Sequence, residues 1–141
     1  MEGRVNLKKA AKSNQDFRRV LFTGRQCQLV LMSLEPEEEI GEDVNAATDQ
    51  VIFVVHGKAE ALVAGKLVSL EPHEVLFVPA GMKHNLRNVG DEALKLYALY
   101  APPGHPERTV HHTRHEAARE ARPAPRSARP RRGSPAPGAV P

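Results

Sequence analysis

The sequence predicts an all-β domain, a sandwich or barrel of short antiparallel strands. Roughly eight apolar or alternating runs follow one another within about 85 residues, and glycine, proline or acidic turn signals separate them. None of these runs has the 3.6-residue period of an amphipathic helix. No connection between them is long enough for a parallel crossover, so the predicted sheets are antiparallel.

The first three strands are predicted at 19–23, 26–34 and 50–55. Gly24 ends the first strand, and the acidic stretch 35–39 is typical of a solvated turn after the second. The third run is almost wholly apolar. Because it is so short, it favours a strand buried on both faces over a helix.

The remaining strands are predicted at 58–63, 66–70, 75–78, 84–89 and 93–101. Ala64 and Gly65 join the first two of these in a tight hairpin turn. After 75–78, Pro79 leads a turn in which Gly81 can take a positive φ.

Two helical segments flank the predicted strands. Residues 5–12 predict one or two helical turns, and Thr113 followed by Glu116 is a capping box that opens a second helix. Pro123 ends that helix, and the residues beyond it cannot bury enough apolar surface to order themselves, which predicts a disordered tail. The chain is thus divided into an N-terminal segment 1–14, the barrel 15–112, a short helix 113–122 and the Arg/Pro-rich tail 123–141.

The net charge of +3 is unevenly distributed along the chain. Residues 119–141 carry six Arg and one acid, which gives +5, whereas residues 1–118 carry 14 basic and 16 acidic residues, which gives −2. This distribution excludes a wholly basic nucleic-acid-binding domain. Nucleic acid is expected only non-specifically, through the tail, which has no aromatic residue for stacking.

The single cysteine, Cys27, excludes an internal disulfide and a cysteine-rich zinc site, and its apolar surroundings predict a buried, inert thiol. No apolar stretch approaches the ~20 residues of a membrane span, so no membrane partner is expected. The N-terminus lacks the apolar core of a signal peptide. We therefore expect a cytoplasmic protein.

The sharpest local pattern runs from the strand 75–78 through a turn to a strand that opens on His84. It resembles the second motif of the cupin superfamily, in which glycine, proline, glycine, histidine and asparagine recur at set spacings. Four of those positions match, and His73 stands where the motif has its first glycine. The matching residues are Pro79, Gly81, His84 and Asn88.

The first cupin motif is present in outline. Gly57 matches its closing glycine, Gln50 falls on its glutamate position, and Asp43 and Asn45 fall on its paired histidines. Residues from about 17 to 118 are also similar to a small single-domain branch of the superfamily, termed mannose-6-phosphate isomerase-like. The resemblance implies a cupin double-stranded β-helix, that is a jelly-roll barrel, to which the short C-terminal helix and the disordered basic tail are added.

The resemblance also implies a site inside the barrel. In that branch an acid, His, Gln and His face a metal, and here the same positions are Asp43, Asn45, Gln50 and His84. One carboxylate, one imidazole and two amides suit a hard ion such as Mn²⁺ or Mg²⁺ better than a soft one. The resemblance leaves open whether the metal is Mn, Fe, Ni or Zn, or whether none is bound. In the metal-free alternative, His84 bonds to Asn45 or Gln50 in a water-filled pocket.

The other histidines are predicted to lie at the surface. His56 and His73 stand beside turn residues. The four histidines near the C-terminal end of the predicted barrel are expected to form a flexible His-rich surface segment. The cupin resemblance also implies that the stretch 102–106 is a flap, which could bring His105 to the mouth of the barrel. These four histidines are His105, His111, His112 and His115.

Three functional hypotheses remain. The first is a small-molecule-binding cupin that holds its ligand against Asp43, Asn45, Gln50 and His84, with a degenerate divalent-metal site that is weak or absent. The second is a metal-dependent cupin enzyme, such as a sugar isomerase, an epimerase or a dioxygenase. The third is a non-catalytic interaction protein whose basic tail recruits an acidic partner. Because cupins often pair their barrels, the resemblance also implies a homodimer.

Overall fold

The computed structural model describes residues 3–42 and 44–121, and β-strands are the main regular structure among them. The helices are α1 (Leu7–Ser13) and α2 (Arg114–Ala121). The strands are β1 (Arg18–Thr23), β2 (Gln28–Leu34), β3 (Asp49–His56), β4 (Ala59–Val63), β5 (Lys66–Leu70), β6 (Val75–Val78), β7 (His84–Asn88), β8 (Leu94–Ala101) and β9 (Val110–His111). Each predicted strand is present, with its ends shifted by at most two residues.

The strands form two sheets in which every pair is antiparallel, as predicted. The larger sheet has the order β6-β3-β8-β2-β1-β9, and the smaller one has the order β5-β4-β7. Neighbours that are distant in the chain, such as β2 and β8, are paired along their whole length. The fold is an all-β barrel of two antiparallel sheets with a short C-terminal helix, as predicted.

The core lies between the two sheets and is lined by alternate residues of each strand. In β8, every second side chain is buried, and these residues are Leu94, Leu96, Ala98 and Tyr100. They pack with inward-facing residues of β2, β3 and β7 in one cluster. Burying a side chain of the size of Leu or Ile contributes about 1.5–3 kcal/mol, so this interior is the main source of stability.

Strand β3 is not buried evenly on both faces, so that part of the prediction is wrong. Its inner residues are buried, whereas Val51 and Phe53 on the outer face are partly exposed. Among the outer apolar residues of this strand, only Val55 is buried. It packs in one cluster with Leu31 of β2 and Ala11 of α1, which covers this part of the sheet. The helix predicted at 5–12 therefore exists and closes part of the outer face, where Ala11 is fully buried.

Two turns have the backbone geometry that their sequences require. Ala64 and Gly65 both have positive φ, 50° and 83°, as in a type I′ hairpin, and Gly81 has a φ of 85°. Asn88 closes the second motif in a structural role. Its amide donates to the carbonyls of Leu34 and Glu92, and its Oδ1 accepts from the N–H of Gly90.

The C-terminal end of the described chain adds one short strand and one helix to the barrel. The sequence did not predict β9, which pairs with β1 at the edge of the larger sheet. Thr113 Oγ1 accepts from the N–H of Glu116, as the capping box predicts, and the Glu116 carboxylate accepts from the N–H of His112. Ala117 on α2 is buried in the core cluster.

Three further predictions concern the tail, membrane-spanning segments and the cysteine. The predicted disordered tail, 123–141, lies outside the described residues. Within the described part of the chain, neither helix is long and apolar enough to cross a membrane. Cys27 is partly exposed just before β2, so the prediction of a buried thiol is wrong.

Candidate functional site

A cavity of about 720 Å³ lies where β1, β3, β7, β8 and β9 meet α2 and the loops around Ile40 and Gly104. Both sheets and the C-terminal helix contribute to its lining. Its volume falls within the range of about 300–1,000 Å³ that is usual for small-molecule sites. The side chains around it form two walls of different chemistry.

The first wall, which we term the neutral wall, consists of Asn45, Gln50 and His84. Gln50 is near the start of β3 in the larger sheet, and His84 is the first residue of β7 in the smaller sheet. Each is 4% exposed. The structure thus brings three of the four residues expected at the site to one cavity, and the fourth, Asp43, lies outside the described residues.

The turn of the second motif orients the neutral wall. The N–H of Gly81 donates to the carbonyl of Asn45 at 2.7 Å, which ties this turn to the loop that carries Asn45. His84 Nδ1 lies 3.1 Å from the carbonyl of Met82. A carbonyl can only accept, so Nδ1 carries a proton, and in the neutral tautomer of the ring Nε2 is then an acceptor. His84 is thus bonded to the backbone, not to Asn45 or Gln50.

The donor set of the neutral wall does not fit a tightly bound transition metal. It offers one imidazole and two amides, and Asn45 Oδ1 already accepts from the N–H of Ala47 at 3.1 Å. Zn, Fe and Ni prefer several imidazole, thiolate or carboxylate ligands. Among the described residues, no group of three or more His, Cys, Asp or Glu side chains is placed to hold a metal ion.

The second wall, which we term the basic wall, consists of Arg18, His105, His111 and Arg114. Arg18 on β1 and His111 on β9 are paired residues of the two strands, and Arg18 Nη1 lies 3.3 Å from His111 Nδ1. His111 is 7% exposed, so the prediction that it belongs to a flexible surface segment is wrong. The physical reason is that β9 docks against β1 and turns this ring inward. His112 and His115 are exposed, as expected.

His105 also departs from the predicted flexible segment, because a buried glutamine holds its loop. Gln28 is fully buried, and its Oε1 accepts from the N–H groups of Gly104 and His105 at 3.1 and 3.0 Å. Its Nε2 donates to the carbonyl of His105 at 2.8 Å and to Thr23 Oγ1 at 2.9 Å. Three hydrogen bonds from one amide therefore fix the loop at the cavity, and the fourth ties that amide to the end of β1.

The ring of His105 lies edge-on to Tyr100, with 5.0 Å between ring centroids. Its Nε2 is buried and has no hydrogen-bond partner among the described residues. Burial lowers the pKa of His105 to about 3, and the nearby Arg18 and His111 act in the same direction. The ring is therefore neutral at physiological pH.

Arg114, at the start of α2, is fixed by the loop before β3. Its Nε donates to the carbonyl of Glu39 at 2.6 Å. Its guanidinium lies against Gly41, where an added Cβ would come within 2.9 Å of Nη2. Glu42 lines the same region, and its carboxylate lies 3.4 Å from Lys83 Nζ.

Sequence reasoning missed most of the basic wall, although one signal for it was available. In β1, Arg18 shares a face with Val20, which is buried, so alternation along the strand would have pointed its side chain inward. Gln28 carried the same signal, because it shares a face of β2 with Val30, which is fully buried. Arg114 carried none, because its role depends on contact with the distant Glu39 carbonyl.

Comparisons with known proteins agree with this architecture. Residues 30–100 match the family model described as "Cupin domain". The crystal structure of BH2720 from Bacillus halodurans superimposes with a TM-score of 0.83 at 35% identity, covering 84% of this chain and 95% of that chain.

Two curated relatives extend the comparison. YrkC of Bacillus subtilis strain 168, an uncharacterized protein, is 38% identical over 119 residues, which is 80% of this chain and 64% of YrkC. Polyketide synthase CurC of Streptomyces cyaneus is 31% identical over 72 residues, which is 51% of this chain and 47% of CurC. The chain thus spans just under two thirds of the first relative and about half of the second.

Proposed function

We propose that this chain, which belongs to the cupin domain family, binds a small polar molecule in its cavity by hydrogen bonding, without a tightly held transition metal. The observation that carries the proposal is the convergence of Asn45, Gln50 and His84 on one cavity of about 720 Å³. An apolar interior with a few convergent polar groups is the usual design of a small-molecule site.

The polar groups of the neutral wall support this proposal because they are only partly used within the protein. The Gln50 amide makes no hydrogen bond to any described residue, although the residue is buried. His84 uses Nδ1 for the Met82 carbonyl and keeps Nε2 as an acceptor. Together they offer an amide donor, an amide acceptor and an imidazole acceptor, which match the hydroxyl and carbonyl groups of a small ligand.

A second candidate is an enzyme that acts on a small molecule in the same cavity. The similarity to CurC, a protein named as a polyketide synthase, favours this candidate. The metal-dependent form of the hypothesis, a sugar isomerase, epimerase or dioxygenase, would need Asp43 as its carboxylate ligand. The amides at Asn45 and Gln50 weigh against it.

The binding proposal is tested by titrating the isotope-labelled chain with a panel of neutral fragments that carry hydroxyl or carbonyl groups. We expect some fragments to shift the NMR signals of the Gln50 side-chain amide and the His84 ring. The variants Gln50→Met and His84→Phe should each weaken that binding by about ten-fold, since each removes a hydrogen bond from a buried site. His73→Asn, at an exposed turn, serves as the control and should bind normally.

Two results would contradict the proposal. One is a panel in which no fragment shifts either signal. The other is a stoichiometric divalent metal in the purified wild-type chain that is lost in His84→Phe, which would favour the metal-dependent enzyme instead.

A further inference from the structure

Charged side chains line part of the cavity. Two guanidinium groups, those of Arg18 and Arg114, line it from β1 and α2. Within the described part of the chain, Glu42 is the one acidic side chain of the lining, and it lies next to the Lys83 ammonium. A guanidinium that lines a cavity can donate to an anionic ligand.

Arg114 is held so that its outer nitrogens stay available. The Glu39 carbonyl occupies Nε, and the guanidinium rests on the bare backbone of Gly41. No carboxylate of the described residues forms an ion pair with Arg114. A guanidinium has five N–H donors in a planar fork, and here most of them are left for a ligand.

His105 provides a second unmatched group in the same lining. Its Nε2 is buried without a hydrogen-bond partner among the described residues. Burying a polar atom without a partner is unfavourable, so native structures rarely keep one without a reason. A neutral imidazole at this position can donate one hydrogen bond without adding a charge.

We propose that the basic wall is a subsite for an oxyanion, so that the ligand of this cavity is a small organic anion. Its carboxylate or phosphate group pairs with Arg114 and accepts a hydrogen bond from His105 Nε2, and its uncharged end lies against the neutral wall. This inference rests on the proposed function and narrows the ligand class. Arg favours both anions because its fork matches two oxygens at once.

The experiment measures anion affinity by isothermal titration calorimetry of the full chain at low salt. The probes are succinate, inorganic phosphate and succinamide, which is the uncharged counterpart of succinate. We expect succinate or phosphate to bind at least ten-fold more tightly than succinamide, and added salt to weaken that binding. The tighter of the two anions identifies the ligand as a carboxylate or a phosphate compound.

Variants separate the subsite from general charge effects. Arg114→Gln should weaken anion binding by about ten-fold or more, since a charged hydrogen bond is lost. Arg114→Lys keeps the charge but loses the planar fork of donors, so its anion affinity should lie between those of the wild type and Arg114→Gln. Arg87→Gln is the matched control, because Arg87 is exposed on β7 and paired with Glu37, away from the cavity. All these variants keep the Arg-rich tail, so binding by the tail would be unaffected by them.

The inference is overturned if succinamide binds as tightly as succinate, or if Arg114→Gln binds the anions as well as the wild type while its melting temperature shows that it is folded. Gly41→Ala provides an independent check, because its Cβ would displace the Arg114 guanidinium and should weaken anion binding. If neutral fragments still bind at Gln50 but Arg114→Gln does not weaken anion binding, the anion subsite is contradicted and the proposed function stands. If neither fragments nor anions bind, the proposed function fails as well.

Discussion

The two walls of the cavity are built in opposite ways. The neutral wall takes Gln50 and His84 from the beginnings of strands in the two facing sheets, and these side chains make few hydrogen bonds within the protein. The basic wall takes its residues from a strand edge, a loop and a helix start. It is held together by side-chain bonds such as those of Arg18 with His111 and of Arg114 with Glu39.

This difference indicates how the site divides its tasks. Strands β3 and β7 already hold Gln50 and His84, so the polar groups of these two residues can remain free for a ligand. The basic wall joins residues of two strands, a helix start and a loop, and no single element holds all of them. It must therefore use part of its own hydrogen-bonding capacity to stay in place.

The largest expected effect compares two glutamines. Gln28→Met removes four hydrogen bonds, leaves the N–H groups of Gly104 and His105 without an acceptor, and should lower the free energy of unfolding by about 2–5 kcal/mol. Gln50→Met removes an amide that bonds to no described residue and should change stability by less than about 1 kcal/mol. Urea denaturation of both variants measures the contrast.

Equal losses in the two variants would show that the walls are not built differently. A small loss in Gln28→Met alone would mean that the loop 104–106 is held by other contacts.

A smaller effect is expected from the pH dependence of the basic wall. The unfolded chain protonates His105 near pH 6.5, whereas burial holds the folded-state pKa at about 3. The unfolded state therefore binds more protons between these values, and stability falls as the pH drops below about 6.5. From pH 7 to pH 5, His105 alone should lower the free energy of unfolding by about 2 kcal/mol.

The variant His105→Asn isolates this contribution. Urea denaturation at pH 7 and pH 5 should show a shallower loss for the variant than for the wild type. His73→Asn, at an exposed turn, should retain the full loss. An unchanged loss in His105→Asn would contradict the burial of this imidazole.

The smallest effect concerns the ion pair at the outer end of β9. His112 Nδ1 lies 2.7 Å from Asp16 Oδ1, and Arg19 contacts the other carboxylate oxygen. The hydrogen bond to Asp16 raises the pKa of His112, with Glu116 adding to the shift, and the same bond lowers the pKa of Asp16. The histidine's contribution is complete below about pH 6.5 and is lost as the pH rises through its raised pKa.

The Asp16 contribution has the opposite sign. It is present above about pH 4 and is lost as the pH falls through the lowered pKa of that carboxyl. His112→Gln should therefore lower the melting temperature slightly at pH 5.5 and have no effect at pH 9, as measured by circular dichroism. His115→Gln, exposed on α2, is the control. An equal decrease at both pH values would show that the contact does not depend on charge.

Much of the fold could be predicted from the sequence because its signals are local. A run such as 75–78 followed by Pro79 and Gly81 specifies a strand and a turn from adjacent residues alone, and the structure has both. The same applies to the hairpin at Ala64 and Gly65. The alignment of this turn with Gln50 and Asn45 came from the cupin resemblance.

The two-residue strand β9 could not be predicted, because its only support is pairing with β1. The same limit affected His105 and His111. Their composition is typical of a surface segment, yet Gln28 and Arg18, which are 77 and 93 residues away in the chain, hold them at the cavity.

By itself, the sequence determined the strand order along the chain, the antiparallel arrangement and the place of His84 after a turn. Each of these depends on patterning and turn chemistry within a few residues. Only the tertiary structure decided that a basic wall faces the neutral wall. Its residues meet through long-range pairing of strand edges and through one buried amide. Alternation along β1 can point Arg18 inward, but the sequence does not show which residues it meets there, because those partners are chosen by the closing of the barrel.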